Sequence, residues 1–137
     1  MCNQNKLLKE FLNKGDIFAA EAGISLKEIC DGKAVAEMTV GAQHLNAGGV
    51  CQGGALFTLA DLAIAGVMNS HGKLSFSIQT SITFVHSALV GDHLTAIATE
   101  VENHHKLPCC EVKVTNQEGK LICSLTAIAY RKDKPIP

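Results

Sequence analysis

The segment from Leu74 to His86 alternates with a period of two. Leu74, Phe76, Ile78, Ile82 and Phe84 fall on one side, and Ser75, Ser77, Gln79, Ser81 and Thr83 on the other. That period predicts a β-strand with its apolar side toward a core. Three further strands follow in meander order. Gly91-Asp92 turns the chain into His93 to Asn103, Cys109 to Thr115 comes next, and the turn Asn116 to Gly119 leads into Leu121 to Arg131. Upstream, Ile24 to Cys30 and Ala34 to Val40 flank Asp31-Gly32, a strong two-residue hairpin signal.

Two segments carry the helical period instead. Lys6 to Asn13 places Leu7, Leu8, Phe11 and Leu12 on one side, with Gly15 as a stop signal. From Gly53 to about Ser70 apolar residues face every direction, which predicts a helix enclosed by other elements. The polar, glycine-rich stretch Gly41 to Gly49 is the loop that feeds this helix.

The order helix, two strands, buried helix, four strands predicts an α+β domain: an antiparallel sheet of about six strands curled around one long helix. Residues 1–137 read as a single domain, with an N-terminal helical segment over 1–20. The charged, proline-containing tail from Lys132 to Pro137 is expected to fray. Such a sheet keeps its edges, and strand-to-strand pairing into a homodimer, or a dimer of dimers, is the expectation.

Composition narrows the function classes. Of the 137 residues 47% are hydrophobic, enough for one core without staples. Lys and Arg number 12 against 13 Asp and Glu, so no global field draws in a nucleic acid or an anionic membrane. The six cysteines show no CxxC pair and no regular spacing, which suits reduced thiols. Met1 to Lys9 is polar and no apolar signal region follows it, so the expected location is the cytoplasm. Val50 to Met68 is interrupted by Gln52, Gly53, Gly54, Thr58 and Asp61, and falls short of the roughly 20 apolar residues of a membrane span. The histidines lack metal-site spacings, so neither metal nor cofactor is expected.

One charge stands out. From Leu45 to Ser70 the only charged side chain is Asp61, and an ionised carboxylate in an apolar setting is unfavourable by several kcal/mol or more unless paired. At about 100° per residue it shares a helix side with Gly54, Phe57, Thr58 and Ala65. It is either a functional carboxylate, or a residue exposed through a gap in the wrapping or bonded by Thr58. Gly53-Gly54 presents backbone N–H groups at the positive end of the helix dipole, or merely permits tight packing. Asn46 and Gln52 can orient a water or a carbonyl, or serve as turn and cap residues. Cys51 has no adjacent base and reads as a small buried hydrophobe.

Taken together, HLNAGGVCQGGALFTLAD from His44 to Asp61 resembles the signature of the PaaI-like hotdog-fold thioesterases, roughly HxNxxGxxHGGxxxxLxD. The likeness continues from Ser75 through Gly91-Asp92 and covers about Ile24 to Tyr130. It implies a hotdog fold and hydrolysis of an acyl-CoA thioester, with an aromatic or short-to-medium acyl group, at a site shared by two subunits. By resemblance Asp61 is the nucleophile or general base, and the Gly53 N–H polarises the thioester carbonyl. Asn46 holds water or substrate, Ser77 is the third-strand hydroxyl, and Lys106 lies near the coenzyme A phosphates. Gly54, Phe57 and Phe84 are the expected contacts to substrate, the phenylalanines to its acyl group.

The family's histidine before Gly-Gly is Gln52 here. A neutral amide can orient a carbonyl or the Asp61 carboxylate but cannot titrate. Two alternatives follow: a non-hydrolytic acyl-CoA sensor, or a hydratase built on a catalytic histidine, for which His44 is the nearby residue.

Overall fold

The computed structural model describes residues 5–136. Helix α1 (Lys6–Gly15) and a one-turn helix α2 (Ile17–Glu21) precede the hairpin β1 (Ser25–Cys30) and β2 (Lys33–Thr39). A short 3₁₀ turn (Ala42–His44) and a loop lead into α3 (Gly53–Met68). The strands β3 (Lys73–Phe84), β4 (His93–Glu102), β5 (Cys109–Thr115) and β6 (Leu121–Pro135) complete the chain. The hairpin turn is built as expected, with Gly32 at φ 72°, a left-handed conformation that only glycine adopts freely.

All strands pair antiparallel in one sheet of order β1-β2-β4-β5-β6-β3. The last three strands form the predicted meander. β3 does not lie beside β4, however; it pairs with β6 at the far edge. Loop 85–92 therefore crosses the end of the sheet, tied down where Cys51 N–H donates to Ala88 O at 2.9 Å and Gly91 N–H to Val40 O at 2.8 Å.

Helix α3 lies on the inner face of this sheet. Small residues there, including Ala34, Ala36, Ala96, Ala98, Ala127 and Ala129, are fully buried and let the helix approach closely. Gly66 marks the tightest contact, because a Cβ built on it would lie 2.9 Å from the Ala34 Cβ and 3.2 Å from Leu26 Cδ2. Gly66→Val should therefore destabilise the fold by about 2–3 kcal/mol through overpacking. A urea midpoint equal to that of the wild type would contradict this contact.

Two expectations are corrected. The apolar side of β3 does not face the helix throughout: Ser75 is buried, while Phe76 and Ile78 are exposed. Pairing explains why. Ser77 lies opposite the buried Ala129, but Gln79 is already opposite Ile128, so a bulge shifts the phase. Beyond it Thr80, Ile82 and Phe84 pair with Ala127, Leu125 and Cys123 and so share the inner face. The second correction concerns the tail. β6 runs on to Pro135, paired with Lys73, where the chain was expected to fray from Lys132. Cys2 and Pro137, with the rest of residues 1–4, lie outside the described residues.

Candidate active site

The site is built around the first turn of α3. Gln52 occupies the N-cap position, and its Oε1 accepts from the Gly54 N–H at 2.7 Å. The N–H of Gly53, the first helical residue, meets no acceptor among the described residues. It points from the positive end of the helix dipole, where a developing oxyanion is stabilised. The glycine pair permits close packing, and of its two N–H groups the cap takes one. A Cβ on Gly53 would lie 2.9 Å from Phe84 Cζ, and one on Gly54 would strike the Gln52 amide. Close packing accounts for the missing side chains, and one donor is still left free.

Asn46 shapes the loop before the helix. Its Oδ1 accepts from Gly48 N–H at 2.9 Å and Val50 N–H at 3.2 Å, which leaves its amide NH₂ for other partners. Asn46 borders two cavities. One, of about 670 Å³, is lined by Phe18, Ala22, Leu45, Gln52, Ala55 and Thr58 among others. The second, of about 360 Å³, holds Gly53, Cys51 and the run Phe84 to Ser87. Burial pushes the Cys51 thiol up, away from the thiolate a nucleophile requires.

His44 is buried, and both its ring nitrogens are engaged. Nδ1 accepts from Gly41 N–H at 2.9 Å, so Nε2 carries the proton and donates to Ala22 O at 2.7 Å. It pins the loop to α2 and has no lone pair left for hydratase chemistry.

Past its first turn α3 is buried except at Phe57, Thr58, Asp61 and Ala65, which are half-buried. Phe57, expected to touch substrate, is half-buried and packs on one side against the core. The Thr58 hydroxyl donates to Gly54 O at 2.8 Å and does not bond Asp61. No described group donates to the Asp61 carboxylate. Burial pushes its pKa above the ordinary aspartate value, and the nearby negative Asp16 adds to the shift. Asp16 itself caps α2, accepting from Ala19 N–H at 3.0 Å.

Within one chain these groups do not converge on one atom. Asp61 follows Gly53 by eight residues, about 12 Å of helix rise. Ser77 lies on the inner face of edge strand β3. Lys106 sits in a separate basic cleft with Lys73, His105, Arg131, Lys132 and Asp133. The Arg131 guanidinium there is buried, with Nη1 donating to His104 O at 3.2 Å and Nε and Nη2 unpaired. Sequence reading missed Arg131, Phe18 of α2 and its C-cap Ala22, and Asp16. Of these only Asp16 carried a signal, as a helix N-cap residue.

A curled antiparallel sheet around one long helix, with a free N–H at the helix start and an unpaired carboxylate two turns on, defines a hotdog-fold protein equipped for acyl transfer chemistry. The sequence profile of the Thioesterase superfamily matches residues 48–123, and the chain belongs to that family. A protein of Archaeoglobus fulgidus classed among the esterases is 38% identical over 130 residues, 95% of this chain and 84% of its own. Escherichia coli acyl-coenzyme A thioesterase PaaI is 33% identical over 118 residues, 86% of this chain and 84% of its own. The solved E. coli PaaI structure superposes with a TM-score of 0.93, covering 98% of this chain and 97% of that one at 30% identity. A Streptococcus pneumoniae thioesterase solved with coenzyme A gives 0.82, covering 90% and 99% at 28% identity.

Proposed function

We propose that this protein hydrolyses acyl-CoA thioesters to the free acid and coenzyme A. The observation that carries the reading is the pair of unsatisfied groups on α3, the Gly53 N–H and the Asp61 carboxylate. The thioester carbonyl oxygen accepts from Gly53 N–H, which stabilises negative charge as the tetrahedral centre forms. Asp61, its basicity increased by burial, activates water or attacks the carbonyl carbon directly. The Asn46 amide and the Ser77 hydroxyl orient the reacting groups. Gln52 contributes its free NH₂, since its oxygen is held by the helix cap.

Two copies of the chain build one site. A carbonyl accepting from Gly53 has its carbon within about 4 Å of that nitrogen, whereas the same chain's Asp61 stands about 12 Å along the axis. Gly53 of one protomer therefore works with the carboxylate of the other. The surface for this pairing is edge strand β3, where Phe76, Ile78 and Phe84 are exposed, with Val85 just beyond it. Homodimers pairing further into a tetramer are consistent with the apolar outer-face residues Ile97 and Val101. No helix among the described residues is long and apolar enough to cross a membrane.

The larger cavity, with Phe18, Ala22, Leu45 and Ala55 on its walls, takes the acyl group. The basic cleft, with Lys106 beside Lys73 and Lys132, takes the phosphates of coenzyme A. Lys106→Ala should raise KM for an acyl-CoA on the order of tenfold, about 1.4 kcal/mol. KM for the same acyl group on N-acetylcysteamine, which has no phosphates, should stay unchanged. Equal effects on both would remove Lys106 from the phosphate site.

Release of free thiol from a panel of aromatic and aliphatic acyl-CoAs tests the reading directly. The rival reading, an acyl-CoA sensor, draws on the engagement of Gln52 as a cap. Calorimetric binding without thiol release across the panel would establish the sensor and overturn hydrolysis.

A further inference from the structure

His86 has no part in the scheme above, yet it lines the cavity of about 360 Å³ that holds Gly53, Asn46 and Phe84. Its Nδ1 lies 2.9 Å from Leu121 O. A carbonyl oxygen only accepts, so Nδ1 carries the hydrogen and Nε2 is the nitrogen left to gain and lose a proton. The ring is held in place from its own backbone: the N–H groups of Val85 and His86 both donate to Ile122 O, at 2.8 and 3.1 Å.

The other groups nearby cannot serve as proton donors. Gln52 does not titrate, both nitrogens of His44 are bonded elsewhere, and burial pushes the Cys51 thiol up, which makes it a weak proton donor. His86 is thus the imidazole that shares a cavity with the free Gly53 N–H.

We propose that His86 is the general acid for the departing thiol, supplying through Nε2 the proton transfer that Gln52 cannot provide. The inference rests on the thioesterase reading. As the carbon–sulfur bond breaks, its electron pair stays on sulfur, and sulfur takes the proton from Nε2 of the imidazolium. The oxygen of water remains on the acyl carbon, its proton leaves by way of Asp61, and His86 regains a proton from solvent. Thioester and water become carboxylic acid and thiol.

His86→Asn is the informative variant, because the asparagine NH₂ takes the place of Nδ1–H toward Leu121 O while Nε2 is lost. With an alkyl thioester such as an acyl-CoA, kcat should fall by about tenfold to a hundredfold with KM little changed. With a thiophenol thioester of the same acyl group, whose thiolate leaves without protonation, the fall should be under about threefold. His86→Gln should show the same split, and serves if the asparagine variant does not fold. Undiminished kcat, or equal losses on both thioesters, overturns the proposal and makes His86 a purely structural residue. If the wild type releases thiol from no acyl-CoA, the thioesterase reading falls and this one with it. Wild-type turnover with an unimpaired His86→Asn overturns this one alone.

Discussion

Asp61→Asn should reduce kcat for acyl-CoA hydrolysis by about 10²–10⁴-fold and at the same time make the folded protein more stable at neutral pH. The first effect follows from removing the base or nucleophile while keeping its shape. The second follows from the absence, among the described residues, of any donor to the carboxylate in a half-buried position. Burial and Asp16 raise the folded-state pKa above the ordinary 3.8. Between those two values the folded chain binds more protons than the unfolded chain, so stability falls as pH rises through that window. Above it the penalty is complete; below about pH 4, where aspartate is protonated in both states, it vanishes. Urea denaturation should therefore show the asparagine variant more stable at pH 7 and the gap closing toward pH 4. Dimer formation brings in the partner's groups, so both proteins are compared at one concentration, above that at which each is dimeric. Turnover equal to the wild type would remove Asp61 from catalysis. Lower stability at pH 7 would mean that it has a stabilising partner in the assembled protein.

The same isolation made Asp61 legible in the sequence. One charge between Leu45 and Ser70 is visible without coordinates, as is a helix apolar all round, because composition and period are local properties. The hairpin at Asp31-Gly32 was legible for a similar reason: the turn needs a residue that accepts positive φ. What escaped depends on contacts between distant segments. The phase of β3 reverses at a bulge that exists only because β6 is its neighbour. Nothing in the local pattern of β3 places it at the far edge, or shows that the charged run after Arg131 continues as a paired strand. Helix α2 is too short to display a period. Gln52 read either as a donor that orients a carbonyl or as a cap residue, and the coordinates show its oxygen accepting from Gly54 N–H in the first turn of α3. The unpaired nitrogens of Arg131 are likewise a property of the fold and not of the residue.

Gly53→Pro isolates the oxyanion donor, and kcat for the variant should fall by about 10²–10³-fold, the usual loss of one such donor. A backbone N–H is beyond the reach of ordinary substitution, but here the position permits its removal. Gly53 is the first residue of α3, where proline is favoured because that N–H makes no helical bond. The preceding Gln52 has φ −67° and ψ 140°, the extended conformation that a following proline requires. The added ring does bring a Cβ, which would sit 2.9 Å from Phe84 Cζ. Gly53→Ala brings the same Cβ and keeps the N–H, so its rate measures the crowding against Phe84 alone. The ratio of the alanine rate to the proline rate then reports the hydrogen bond. A ratio near one, with both variants folded and dimeric, would mean that the carbonyl is held by another donor. The free N–H of Gly53 would then be a by-product of the helix start.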